Sequence, residues 1–378
     1  MMKKTLLAIA LLGSLGTSYA QSNVTIYGVL DIGYIKENGR DLRLGDNENN
    51  AIGFKGTENL GNGYKALFQL EKRFDLNDGT LGNTNTAGYR GTKAGNQKSF
   101  EGGANVGLAG PFGKAIIGRV NELTTVSIKK FDPFHQVGVG TQIYSLQRAP
   151  RIDNTLLYES PNWNGLSFGT SYSAGVNTNK QSIDTLHYGN LKKSNADNDG
   201  YAVNLNYDNG TFFATANWSR LPDSNHSSVW NIGLGYRITN TLQLTAAYED
   251  TNSKGWKGNL TRGDQGPLTY QNDARLDGRQ RNLLIGLAWD VGPGTLNASV
   301  QWDRLSSDYI SKYSHKGING TDNAFKYALG YTYKLSRRTS LYSIAAYTNY
   351  GSAEQGEAIS GLHNDSVTAL QLGITHKF

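Results

Sequence analysis

Residue types and spacings in this chain suggest three kinds of chemistry. The first is acyl transfer. Gly165-Leu166-Ser167-Phe168-Gly169 fits G-x-S-x-G, a pattern that works by holding its serine on a sharp turn between a strand and a helix. Here the residues that follow continue as a strand, so Ser167 reads as a plain strand residue. The second is metal or general-base chemistry. The six histidines (His135, His187, His226, His315, His363, His376) are dispersed without metal-ligand spacing, and the chain has no cysteine. Neither an enzyme centre nor a metal or other cofactor is expected. The third is electrostatic. Lys65, Arg73 and Arg151 fall in runs whose neighbours at the opposite parity are apolar. Cations on one face of a strand set the field of whatever space that face lines.

Strands must position them. The final stretch, Ser366 to Phe378, places Leu370, Leu372, Ile374, His376 and Phe378 on one side and Ala369, Gln371, Gly373, Thr375 and Lys377 on the other. Period two is the mark of a strand. A strand ending on an aromatic residue would leave an exposed edge unless it pairs with the first strand and closes the sheet. The same alternation recurs from residue 24 onward, for example Tyr201, Val203, Leu205 and Tyr207 against Ala202, Asn204 and Asn206. Short turns such as Asp208-Asn209-Gly210 and Thr239-Asn240 exchange places with long hydrophilic loops at about 176–199, 251–280, 304–322 and 351–364. After Ala51 to Thr57 a six-residue turn is expected, and 121–149 shows no clear periodicity. Counting gives about sixteen strands, one end trimmed and one elaborated. The expected fold is all-β, a sixteen-stranded antiparallel transmembrane β-barrel. That number of strands leaves an aqueous channel.

Composition agrees. Hydrophobic residues make up only 38 % of the 378, while glycine reaches 46 and tyrosine 22. A dry core would be thinly supplied, whereas a barrel needs apolar residues on its outer face alone. At the N-terminus Lys3 and Lys4 precede an apolar run, Leu6 to Leu15, and then Ser18-Tyr19-Ala20. This predicts a secretory signal peptide over 1–20 and a barrel over 21–378. The apolar run is too short to span a bilayer. Without Lys3 and Lys4 the formal net charge falls from +6 to +4, and the basic residues are scattered, so no nucleic-acid partner is expected.

With these features the sequence resembles the trimeric general porins of Gram-negative bacteria, in their Neisseria-like, betaproteobacterial branch. The resemblance rests on Val24-Thr25-Ile26-Tyr27-Gly28-Val29-Leu30-Asp31, Gly53-Phe54-Lys55-Gly56, Glu58-Asn59-Leu60-Gly61 and Ala66-Leu67-Phe68-Gln69-Leu70-Glu71. It rests further on Gly118-Arg119, Arg151-Ile152-Asp153-Asn154, Tyr158-Glu159-Ser160-Pro161 and His376-Lys377-Phe378. The blocks run the mature length; their order and spacing together are specific. The resemblance implies a third loop folded into the lumen and a constriction where basic wall residues, Lys55, Lys65, Arg73, Arg119 and Arg151, face acidic loop residues, Glu122 and Asp132. Lys129 and Lys130 would add positive charge on that loop. Ala51 departs from relatives that carry a basic wall residue there, and the acidic Pro-Glu-Phe-Gly type of loop element is missing. The resemblance also implies a homotrimer, surroundings of outer-membrane lipid and lipopolysaccharide, and a terminal Phe378 that serves as an assembly signal to the outer-membrane assembly machinery. Passive diffusion of ions and small hydrophilic solutes with weak to moderate anion preference is the expected function. A substrate-specific channel is the alternative, with Phe131, Phe134 and Tyr144 as its aromatic lining.

Overall fold

The computed structural model of the chain describes residues 23–79, 99–143, 151–175, 199–222, 227–256, 261–262, 266–267, 276–309, 318–353, 356 and 364–378. The expected signal peptide and Tyr144 lie outside them. The described residues form sixteen barrel strands: β1 Asn23–Glu37, β2 Ala51–Gly61, β3 Tyr64–Arg73, β4 Gly103–Gly110, β5 Gly113–Asn121, β6 Arg151–Glu159, β7 Leu166–Ser173 and β8 Gly200–Asp208. There follow β9 Phe212–Arg220, β10 Ser228–Arg237, β11 Leu242–Trp256, β12 Leu276–Val291, β13 Gly294–Tyr309, β14 Ile318–Lys334, β15 Thr339–Asn349 and β16 Ser366–Lys377. Each pairs antiparallel with the next, and β1 pairs with β16 from Val29↔Lys377 to Glu37↔Ala369. The sheet is therefore closed, as the terminal strand predicts. The Phe378 amide and carbonyl complete the seam against Gly28, at 3.1 and 3.0 Å.

Alternation sorts the side chains. On β16 Leu370, Leu372 and Ile374 are exposed, while Ala369, Gln371 and Thr375 between them are buried. Large apolar side chains thus face outward and small or polar ones inward, the reverse of a water-soluble sheet and the arrangement a bilayer solvates. No described helix is long and apolar enough to cross a membrane.

The trimmed end is built from tight turns. Between β2 and β3 the turn is only Asn62-Gly63, with positive φ at both residues (51° and 81°). Asn and Gly tolerate this region best. The six-residue turn expected after Thr57 is corrected accordingly: Glu58 and Asn59 pair with Ala66 and Lys65. At the other end β11 and β12 pair up to Trp256↔Leu276, and β13 and β14 up to Tyr309↔Ile318. Both stretches were expected as loops. These stretches are polar and lack the apolar alternation that marks a strand, while the ladder pairing continues.

Candidate pore constriction

The segment after β5 folds into a helix that serves the site. Glu122 accepts hydrogen bonds from the amides of Thr124 (3.1 Å) and Thr125 (2.8 Å), capping the helix α1, Leu123–Ile128. A 3-10 turn, Lys129–Phe131, follows. Ile128 and Phe131 are buried against Phe213, Ala247 and Leu284 on the inner faces of β9, β11 and β12. Asp132 then closes the loop on itself, accepting the amides of Phe134 (2.9 Å), Gln136 (2.9 Å) and Gln142 (3.0 Å).

Polar side chains from the wall hold this loop. Asn204 donates to Ser127 Oγ, Asn231 to the Thr124 carbonyl and Thr245 to the Phe131 carbonyl. Asn282 donates to the Ile143 carbonyl, Gln301 accepts the Ile143 amide, and Lys326 donates to the Thr141 carbonyl at 2.7 Å. Gln371 accepts the Val139 amide (2.9 Å) and donates to the carbonyl of Asp46 in the first loop (3.0 Å), so one side chain of the last strand anchors two loops. The segment 122–143 accordingly lies across the inner wall of β8 to β16.

Facing it are β1 and β3. Tyr27 donates to Glu71 (3.0 Å) and receives Gln69 (2.7 Å), and Glu71 holds the Arg73 guanidinium at 3.2 Å. Between loop and wall lies a cavity of about 750 Å³, bordered by Tyr27, Glu71 and Arg73 on one side and Lys129, Lys130 and His135 on the other.

The expected site residues separate into groups. Arg73, Lys129, Lys130 and Asp132 border the cavity. Arg119 is buried instead, with Nε on the Glu101 carbonyl (2.8 Å) and a terminal nitrogen on Asp153 (2.6 Å). Arg151 is also buried, with Nε on the Gly102 carbonyl (2.5 Å) and a terminal nitrogen 3.9 Å from Glu71. Lys55 stands over the Tyr27 ring at 5.0 Å. Lys65 sits beside the trimmed-end turn, opposite Asn59 and Ala109. It lies eight residues from Arg73 along one strand, roughly 27 Å at the usual rise. Glu122 and Asp132 do not face the basic wall as acidic partners. Backbone amides of their own loop occupy them, because a short helix and a tight turn leave donors that must be satisfied.

Sequence reasoning missed Glu101, which receives the Arg73 amide (2.6 Å) and pairs with Lys72 (3.0 Å). Nothing in its loop signals that it returns to the wall. The period-two pattern does contain Lys326, which lies between Phe325 and Tyr327. Asp31, on the polar face of β1, receives the hydroxyls of Tyr342 and Thr375 and the Asn47 amide, fastening the first loop inside the barrel. Burial, with Asp31 and Asp75 nearby, pushes the loop residue Asp46 up to about 7.

A closed, inverted sixteen-stranded barrel with an inner loop is a channel architecture, and the family described as Gram-negative porin matches residues 5–353. The chain belongs to the Gram-negative porin family. This porin is 29 % identical to an outer membrane porin protein of Bordetella pertussis over 424 aligned positions, covering 100 % of both chains. It is 26 % identical to a major outer membrane protein of Neisseria meningitidis, covering 86 % of this chain and 82 % of that one. Its fold is that of an anion-selective porin from Comamonas acidovorans, at a TM-score of 0.68 and 23 % identity over 95 % of this chain and 100 % of the other. The porin is thus an outer-membrane protein that forms a diffusion channel.

Proposed function

We propose that this porin is a trimeric general diffusion pore with weak anion preference, set where the loop lysines face Arg73. The observation that carries the reading is an asymmetry of the loop. Its carboxylates, Glu122 and Asp132, are buried and engaged by backbone amides, while Lys129 and Lys130 border the cavity across from Arg73. Mobile anions therefore meet the cationic side chains of Lys129 and Lys130 at short range, while the Asp132 carboxylate that also borders the cavity is screened by the backbone amides it accepts. The anion-selective porin of the same fold supports the sign.

A substrate-specific channel is less well supported, since Phe131 and Phe134 are buried against the wall. An enzyme is less well supported still. Ser167 lies inside β7 opposite Asn206, on flat sheet with no strand-to-helix turn. Trimer formation is carried over from the family resemblance. Export by the 1–20 segment and reading of Phe378 by the assembly machinery belong to the same proposal. Lipopolysaccharide phosphates are the proposed neighbours of the outer rim, where Arg279, Arg281 and Arg304 share the outward face with Asp250 as acidic partner.

The test is the reversal potential of purified protein in a planar bilayer under a tenfold potassium chloride gradient. Steps grouped in threes and a chloride-favouring potential, reduced in the Lys129→Gln/Lys130→Gln variant, are expected. A cation-favouring potential, or no conductance from folded protein, overturns the reading.

A further inference from the structure

Three inward positions beneath the constriction loop are glycines on alternate strands: Gly233 on β10, Gly286 on β12 and Gly330 on β14, all buried. None has a positive φ, so the backbone there is ordinary strand. A glycine inside a strand weakens it unless something needs the space of a side chain. Here a ring of the loop needs it each time. A Cβ at Gly233 would stand 2.4 Å from Phe131 Cδ2, one at Gly286 2.5 Å from Pro133 Cγ, and one at Gly330 2.9 Å from Phe134 Cε1. Phe134 also meets Gly140 of the loop itself, where a Cβ would fall 2.4 Å from its ring.

The sockets lie within one seat. Thr245, directly opposite Gly286, donates to the Phe131 carbonyl at 2.7 Å, and Phe131 stacks on Phe213 at 5.3 Å between ring centres. Asp132 ties the residues around the rings into one body by its bonds to three amides. How far that body stands from the wall depends on how deeply its rings sink. Lys129 and Lys130, immediately before Phe131, move with it.

We propose that Gly233, Gly286 and Gly330 are size-determining residues of the pore: by admitting Phe131, Pro133 and Phe134 to backbone depth they hold the loop against the wall and keep the cavity toward Arg73 open. Carbon atoms pack at about 3.5–4.0 Å, so a single methyl in any socket must lift its ring by about 1 Å. The Asp132 bonds convert that local lift into displacement of the whole loop into the lumen. Narrowing acts more steeply on large solutes than on small ions.

The inference rests on the pore reading, and its test separates the two. Gly233→Ala, Gly286→Ala and Gly330→Ala, singly and combined, are compared with the unsubstituted protein for potassium chloride conductance and for liposome swelling in sugars of increasing size. The expected result is a retained heat-modifiable barrel, lowered conductance, and a loss of swelling that grows with sugar size and is largest in the triple variant. Adding Phe131→Leu to Gly233→Ala should recover part of the loss, because the freed ring volume admits the methyl. Phe134→Ala leaves the wall untouched and covers the case in which the glycine variants do not fold; it should raise the exclusion size. A conducting unsubstituted protein whose triple variant matches it in conductance and exclusion size overturns the proposal. So does an unaltered exclusion size in Phe134→Ala. Absence of conductance in the unsubstituted protein overturns the pore reading instead.

Discussion

Arg119 and Lys130 carry the same charge and have opposite consequences. Arg119 is buried on Asp153 and the Glu101 carbonyl, so Arg119→Gln removes a guanidinium from the Asp153 carboxylate in a desolvated site. Breaking a buried pair costs about 3–5 kcal/mol. The expected outcome is a clear drop in the heat-modification midpoint and a selectivity change in the cation direction from the lost positive charge. Lys130 is exposed, so Lys130→Gln should leave the stability within about 0.5 kcal/mol of the original and lower anion preference alone. Asp46 supplies a pH dependence. Its carboxyl is raised to about 7 in the folded protein, against an ordinary value of 3.8, so the folded state holds a proton that the unfolded state releases. Its contribution is therefore full below about pH 4 and is lost as pH rises toward 7, with an upper bound of roughly 4 kcal/mol. Asp46→Asn should flatten the melting profile between pH 5 and 8 and raise the midpoint at pH 8. No spacing in the sequence shows this, because burial of the first loop depends on Asp31, Gln371 and Tyr342, residues far apart along the chain.

At the scale of elements, alternation identifies strands wherever one face meets lipid and the other water. It falls silent in the extensions of β11 to β14, where polar residues occupy both parities. Closure is the most legible element of all, since Leu370, Leu372 and Ile374 on a terminal strand require a partner. The seam also explains a glycine: a Cβ at Gly28 would lie 2.3 Å from the Phe378 ring. Gly28→Val should therefore displace Phe378 from the seam, and deletion of Phe378 should leave the Gly28 amide and carbonyl without partners. Each lost backbone bond costs about 1–3 kcal/mol when its group stays buried. Refolding yield into detergent, scored by heat modification, should fall for both variants. An unchanged yield would show that the seam tolerates an open end. The α1 cap escapes pattern reading because Glu122 looks like a lumen charge until the helix that needs it exists.

At the scale of the whole molecule, selectivity is a field effect and must answer to salt. The Debye length is about 10 Å at 0.1 M and 3 Å at 1 M. Chloride preference should be greatest in dilute potassium chloride and approach unity at molar concentration, as read from reversal potentials at a fixed gradient. A preference independent of salt would point to direct ion binding at a site. The outer rim gives a second prediction. Arg279→Gln/Arg281→Gln/Arg304→Gln should weaken retention of bisphosphorylated lipid A in native mass spectra and leave conductance unchanged, since these side chains face away from the lumen; equal retention would remove the rim from the lipid contact. The sequence by itself determined the closed antiparallel barrel, its strand number and its lipid-facing side, because period-two alternation is local and a bilayer imposes it on every strand alike. It also supplied the cations Arg73, Lys129 and Lys130 that border the cavity. Only the tertiary structure decided that Glu122 and Asp132 serve their own loop, that Arg119 and Arg151 are buried in pairs, and that glycines on three strands receive its rings. Those outcomes depend on contacts between segments many residues apart, where a residue's type gives its capacity and the surrounding fold assigns its partner.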